Sequence, residues 1–542
     1  MRTDRDYDRP FVSASDTNFE SPLQPRRSGV REVWAQAWPT VATMTSYTVM
    51  GFVDALMVAR LGPLEVAAQG NGGIWSFNPI AFVFGMLTVV NTFVAQNVGA
   101  GRRDLTARYG WAGVWLAVTA WLLILLPWAM VLPFIFDAAG HEPELVALET
   151  EYATILLLGG VLLIAGKAMS HWFFGYQRPG VITISAVAAN AVNIVANAIL
   201  IFGEAGIPEL GIPGIPGTPA LGLAGAAIGT VIGTAVEILI PLAVFLGPRV
   251  NREVRSRRNW FPDLRAMRDL LRLGWPASLQ FGNEMICWGI FVTVLIGRFG
   301  TDHLTAAWAV IRYMHLSFMP AVGFSVATTS LVGKWIGAGR PDLAVSRARI
   351  ALGLAVGYMT VCGLGFLVFR DSLIGVFVGG DATPETRAAI VSIGATMLIW
   401  AALFQTMDAV GIVYSGALRG AGDTVWPGLV SSILGWTLLV GLGWILVEAA
   451  PGLSSVGPWI AATAYILMFG LVMSVRFERQ AWRGISLVEA GGPTGPNLPA
   501  GPAAPALDGA SAYRDLADDI ADSANTGVSE VVREVEDRSR DE

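Results

Sequence analysis

The chain has 542 residues, of which 54% are hydrophobic and 14% charged, against about 25% charged in an ordinary soluble domain. That balance cannot clothe a water-facing globule, so a soluble enzyme is excluded and no nucleic-acid partner is expected. The formal charge of −6 averages an acidic C-terminal stretch with an arginine-rich interior and decides little by itself.

Residues 1–33 are polar and carry no apolar core followed by a small-residue cleavage site, so they predict a cytoplasmic N-terminal segment. The first membrane helix then serves as its own insertion signal. A bilayer core about 30 Å thick needs roughly 20 apolar helical residues per crossing. Six such stretches follow, near 38–60, 66–101, 109–136, 152–175, 179–203 and 222–247, and they define an N-terminal bundle over 34–247. The Gly- and Pro-rich segment 204–221 is an outer loop. Residues 248–272, with eight arginines from Arg249 to Arg272, form a basic linker. Six more crossings, near 273–297, 304–333, 350–369, 388–416, 424–447 and 449–475, make a C-terminal bundle over 273–484. The tail 485–542 runs through Gly, Pro and Ala into acidic residues and predicts a disordered cytoplasmic segment. The expected fold is an all-α membrane protein of twelve transmembrane helices in two pseudo-symmetric six-helix bundles.

Two patterns organise these helices. Arginine concentrates in alternate connections while the segment 137–151 is acidic, which by the positive-inside rule puts both termini in the cytoplasm; the plasma membrane is the expected location. Gly99-Ala100-Gly101-Arg102-Arg103-Asp104-Leu105 recurs as Gly337-Ala338-Gly339-Arg340-Pro341-Asp342-Leu343, with six of seven positions identical. Trp38-Pro39 recurs as Trp275-Pro276 at nearly the same offset, as does Arg60-Leu61-Gly62 in Arg298-Phe299-Gly300. An even number of helices per copy gives the two copies one orientation, related by an axis along the membrane normal. Transporters built this way bind substrate between the halves and rock to alternate access.

Ionisable residues inside membrane helices cost roughly 2.5–3.5 kcal/mol even on the lenient insertion scale, so they face a cavity and carry function. Asp54, Glu284 and Asp408 each stand alone on an apolar helix. Burial disfavours the charged form of such a group, which suits it to take up and release a proton or a metal cation. Amides share their helix faces: Gln280 precedes Glu284 by four residues, Gln405 precedes Asp408 by three, and Asn193 precedes Asn197 by four. Their carbonyls complete an oxygen cage for Na⁺ at Glu284 and Asp408 or hydrogen-bond a protonated acid, or else the amides only bridge helices. Arg312 and His315 share a face and either counter an acid in an empty cavity or form a structural pair. Lys167, His171 and Glu237 complete the intramembrane set, and Glu237 follows a Gly225-Gly229-Gly233 stripe that marks close helix packing. Cys287 and Cys362 are the only cysteines, which argues against a disulfide or cysteine-zinc scaffold.

Three motifs carry a family resemblance: Phe52-Val53-Asp54-Ala55-Leu56-Met57-Val58-Ala59-Arg60-Leu61-Gly62, Gly222-Leu223-Ala224-Gly225-Ala226-Ala227, and Gly416-Ala417-Leu418-Arg419-Gly420-Ala421-Gly422-Asp423-Thr424 after helix 10. Over residues 31–485 the chain resembles the multidrug and toxic compound extrusion (MATE) transporters, its three acids being more like the NorM-type branch. The resemblance implies a V-shaped pair of bundles and antiport of organic cations or amphipathic compounds against Na⁺ or H⁺, with no further cofactor. It makes Asp54 the N-half acid, Glu284 the helix 7 acid and Asp408 the helix 10 acid, with Asn193 and Asn197 beside the first. Asn197 stands where some prokaryotic members have Asp, which shifts weight to Glu284 and Asp408 and to Na⁺. Gln280, Gln405, Arg312 and Tyr414 are expected along the cavity, in a monomer surrounded by lipid. A lipid-linked glycan flippase of the same superfamily is the alternative, disfavoured because Arg312 is the one evident intramembrane arginine. An intramembrane enzyme is disfavoured by the absence of His-Glu-x-x-His and Gly-x-Ser-x-Gly.

Overall fold

The computed structural model describes residues 28–206, 214–377, 383–485 and 487. The expected N-terminal segment before residue 28, the middle of the Gly/Pro-rich loop and nearly all of the acidic tail lie outside the described residues. Among those described, twelve helices are long and apolar enough to cross a bilayer: α1 Gly29–Val58, α2 Pro63–Gly99, α3 Arg103–Ala138, α4 Pro143–Gly175, α5 Gly180–Ala205, α6 Gly222–Leu246, α7 Leu264–Phe299, α8 Thr301–Gly337, α9 Pro341–Phe377, α10 Pro384–Ala421, α11 Val425–Ala449 and α12 Val456–Glu478. Most run past the apolar stretches read from sequence, because polar first and last turns extend each helix beyond the hydrocarbon.

Their ends follow local chemistry. Ser28 and Asp263 cap α1 and α7 by accepting hydrogen bonds from backbone N–H groups three residues or fewer ahead. Pro63, Pro143 and Pro384 sit in first turns, where no intrahelical N–H is needed. α10 stops at Gly422, whose φ of 90° only glycine adopts freely. Pro39 and Pro276 lie inside α1 and α7 at equivalent places of the repeat. The Pro39 carbonyl accepts the Thr43 and Thr183 hydroxyls, each at 2.8 Å, which pins α1 to α5. Wide π-helical turns interrupt α3 at Trp121–Leu125, α7 at Phe291–Ile296 and α11 at Gly435–Leu442.

One apolar core, around Trp172, Phe173 and Phe245, is built mostly by the first half but takes in Leu270 and Ala277 of α7 and Val326 of α8, and another, around Phe291, Phe404 and Trp459, lies within the second half. The halves meet at the end of the bundle that carries Gly29 and Glu478, here called the terminal face. There Thr40 donates to the Gly323 carbonyl at 2.9 Å, Thr92 to that of Arg419 at 2.9 Å, and Gln96 to that of Gly420 at 3.0 Å. Glu32 of α1 accepts from Lys334 at 2.7 Å and from Arg347 at 2.8 Å, an ion cluster between halves that is mostly shielded from water. The duplicated Gly-Ala-Gly-Arg motif explains the closeness of this contact. A side-chain carbon on Gly99 would overlap the Lys334 carbonyl, and one on Gly337 would overlap the Gln96 carbonyl. Gly101 and Gly339 then take φ of 75° and 71°, turning the chain at once into the next helix. Toward the opposite face, Phe52 of α1, Ile74 of α2, Met285 of α7 and Trp308 and Leu316 of α8 are 41–55% exposed.

The linker between halves holds a short helix, Pro248–Val254. Its Glu253 accepts from the Tyr176 hydroxyl and lies 3.3 Å from Arg178 and 3.4 Å from Arg103. The Tyr176 hydroxyl chiefly, with the two arginines, holds this carboxyl below its ordinary value of 4.5 against the opposing effect of burial. A depressed folded value means the contribution is complete above the ordinary range and is lost as pH falls through the lower folded value. Hydrogen exchange across 248–258 is therefore expected to rise on acidification, and Tyr176→Phe to move that rise to higher pH; an unmoved midpoint would refute the assignment.

Candidate functional site

The first-half acid is positioned by three helices. Asp54 on α1 accepts a 2.6 Å hydrogen bond from the Asn197 amide of α5. The Thr230 hydroxyl of α6 stands beside it, and Tyr152 of α4 lies within its electrostatic reach. Asn193, one turn along α5, is fully buried, and neither its nitrogen nor its oxygen finds a protein partner; the Asn197 oxygen is equally orphaned. The glycine stripe explains how these amides fit, since Gly229 and Gly233 of α6 back directly onto Asn197 and Asn193. The stripe does pack helices closely, and the atoms it packs against are the amides next to Asp54. An unmet hydrogen bond at such a buried amide costs about 1–3 kcal/mol.

Glu237 has a different environment. Lys167 donates to it at 2.9 Å and Tyr47 at 2.5 Å, and the lysine ammonium lies 3.7 Å from the Tyr47 ring centroid. This pair is neutral in sum and ties α1, α4 and α6 together. Sequence spacing did not bring these residues together, since they come from three helices far apart in the chain.

In the second half Glu284 on α7 and Asp408 on α10 lie within each other's electrostatic reach, with Tyr465 of α12 near both. Neither carboxylate has a hydrogen bond or ion pair among the described residues. The neighbouring amides are committed: Gln280 donates to Ser415 at 3.1 Å and Gln405 to Ser317 at 2.9 Å. Only their carbonyl oxygens remain as ligands. No group of three or more His, Cys, Asp or Glu among the described residues is placed to hold a metal, so a Na⁺ at Glu284 and Asp408 would draw its other oxygens from amides, hydroxyls and water.

Sequence reading missed Arg419 as a site residue. The Leu-Arg-Gly motif was expected after helix 10, but α10 continues through it to Ala421. Arg419 is therefore 7% exposed between the halves, with its guanidinium 5.4 Å from the Phe281 ring centroid and within electrostatic reach of Glu284. Phe281 meets Phe84 edge-on at 5.7 Å, and Phe84 meets His171 at 5.8 Å. These side chains fill the space between the halves on the terminal side of the acids. Its place in the most distinctive motif was the signal that could have pointed to Arg419.

The cavity placement of Tyr414 is corrected, and so is the structural ion pair of Arg312 and His315. Tyr414 stacks on Phe477 at 4.9 Å and donates to Glu478 at 2.5 Å, a carboxylate also held by Arg349. It thus stands in an ion cluster where α10 meets the last turn of α12, away from Glu284 and Asp408. Arg312 and His315 are exposed on α8, and neither forms an ion pair with a carboxylate among the described residues.

A duplicated twelve-helix bundle that is closed at one face and carries unpaired acids in both halves defines a multi-pass membrane transporter. The MatE family model matches residues 39–199 and 282–445, one segment in each half. The chain is 30% identical over 464 residues to a probable multidrug resistance protein NorM of Deinococcus radiodurans, covering 85% of this chain and 98% of that one. A similarly named protein of Mesorhizobium japonicum is 28% identical over 477 residues, covering 86% and 98%. Among solved structures, a MOP superfamily transporter from Pyrococcus furiosus superposes with a TM-score of 0.75 at 21% identity, covering 84% of this chain and 97% of that one. A MATE crystal structure in complex with MaD3S gives 0.74 at 20%, covering 85% and 98%. The chain belongs to the MatE family of MATE transporters.

Proposed function

We propose that this chain is a cation-coupled antiporter of the plasma membrane that exports organic cations or amphipathic drugs by alternating access, working as a monomer with both termini cytoplasmic. The observation that carries the reading is the Glu284–Asp408 pair: two carboxylates in each other's field, on different helices, with no basic residue bonded to either. Their mutual repulsion in a low-dielectric setting favours uptake of a proton or Na⁺ as co-transported substrate. Asp54, with its orphaned asparagines, is a second cation-exchanging group of the same kind. Arg419 supplies a compensating positive charge to Glu284 when no ion is bound. An ion that binds one facing state more tightly shifts the halves toward it, and a drug that competes for that state is released on the other side. The multidrug resistance names of the relatives support drugs as cargo.

The test is uptake of a fluorescent organic cation into inverted vesicles carrying the full chain. An imposed Na⁺ or H⁺ gradient is expected to drive accumulation, and reversal of the gradient to drive loss. Accumulation indifferent to both gradients would remove the antiport mechanism.

A further inference from the structure

Between the linker and the start of α3 lies a surface hollow of about 480 Å³ whose lining includes the basic Arg108, Arg258 and Arg265 and the apolar Phe261 and Leu264. The one acid in its wall, Asp263, is already committed. One carboxylate oxygen caps α7, accepting from the Arg265 N–H at 3.0 Å and the Ala266 N–H at 3.1 Å, while the other lies 3.3 Å from Arg108 Nε. That last contact lacks hydrogen-bond alignment, so the Arg108 nitrogen is buried without a partner. Arg258 and Arg265 are exposed and have no ion-pair partner among the described residues. The hollow is therefore positive, with guanidinium forks shaped for phosphate oxygens.

Its depth in the bilayer is fixed by α3. The Trp111 indole donates to the Ser256 carbonyl and the Trp115 indole to the Trp260 carbonyl, both at 2.8 Å. Trp115 belongs to the charge-free run 109–136, so the linker is held at the edge of the hydrocarbon. There Trp260, Phe261 and Leu264 stand 51%, 70% and 76% exposed. Apolar side chains so bare beside a basic hollow match an amphipathic ligand whose head is anionic and whose body is hydrocarbon.

We propose that this hollow binds the phosphate headgroup of an anionic phospholipid, seated on Arg108, Arg258 and Arg265 with its acyl chains along Phe261 and Leu264. The site lies outside the transport pathway, and its existence does not depend on the antiport reading.

Native mass spectrometry of the full chain in detergent, with phosphatidylglycerol and phosphatidylcholine of identical acyl chains, tests it. The wild-type protein is expected to retain phosphatidylglycerol preferentially, with the preference falling as salt rises. Arg258→Gln and Arg265→Gln are each expected to lower the preference by about fivefold, and Arg370→Gln, remote from the hollow, to leave it unchanged. Equal retention of both lipids by the wild-type chain overturns the proposal without need of any variant. Displacement of phosphatidylglycerol by an equal concentration of inorganic phosphate overturns it too, since the ligand would then be free phosphate. So does an equal loss of preference in Arg370→Gln, which would reduce the effect to overall charge.

Discussion

Replacing Glu284 by Gln and Asp408 by Asn together is expected to abolish gradient-driven accumulation while leaving the protein folded and inserted. Both substitutions keep side-chain volume and replace carboxylates that have no hydrogen bond or ion pair among the described residues, so no hydrogen bond is broken and the one charge left facing a neutral side chain is that of Arg419. This contrasts with Glu237, where removing the carboxylate would strand Lys167 and Tyr47 and cost about 3–5 kcal/mol, as for any broken buried ion pair. The loss should appear as coupling: substrate still binds, but an ion gradient no longer biases the halves. Coupling free energies of 1–3 kcal/mol correspond to a fall of roughly 5- to 150-fold in gradient-dependent accumulation. The vesicle assay reads this directly, and a thermal unfolding midpoint within a few degrees of wild type separates it from misfolding. Undiminished accumulation in the double variant would take both acids out of the mechanism.

The second large effect is expected from Gly337→Leu. The backbone of α8 runs against that of α2 at this position, and any side chain there meets the Gln96 carbonyl. Backbone cannot swing aside as the end of a flexible side chain does, so overpacking of about 1–3 kcal/mol falls on the closed terminal face. A state in which the halves part at that face escapes the clash. The variant should therefore spend more of its time open at the terminal face, with transport slowed because closure has become the difficult step. Accessibility of a single cysteine placed at Gln177, whose amide donates to Ser330 across the closed contact, measures it: labelling from the terminal side should rise severalfold. Unchanged labelling with normal transport would show that the glycine contact does not govern closure.

Much of this architecture was legible in the sequence because hydrocarbon leaves few choices. Charge-free runs longer than a bilayer crossing become helices, and the repeated Gly-Ala-Gly-Arg segments mark equivalent turns of two copies. Asp54, Glu284 and Asp408 could be singled out for the same reason, as charges where charges are expensive. What sequence did not convey was pairing between helices. Lys167 and Glu237 neutralise each other, whereas Arg312 and His315 do not find an acid, and nothing in their spacing distinguishes the two cases. Rotation of each helix about its axis decides such pairings, and the packing of many small residues sets that rotation. Arg419 was hidden for a related reason. A Gly-flanked arginine at a helix end resembles the many arginines that mark the cytoplasmic boundary, and only the approach of Phe281 and Thr92 from other helices buries it. Tyr414 was misplaced because Glu478, its partner, lies beyond the last apolar run and gave no sign of reaching back to α10.

The contact of Gly99 with Lys334 and of Gly337 with Gln96 has one more implication. Gln96 and Lys334 occupy the same register in the two copies, as do the glycines, so each copy offers the other the surface it receives. That is the isologous geometry of a two-fold homodimer, preserved inside a single polypeptide. A six-helix ancestor able to pair with itself would already have owned this seam, and fusion of two genes would have needed only the linker to make the partnership permanent. Within one polypeptide the two sides are free to differ, as glutamine at 96 and lysine at 334 do.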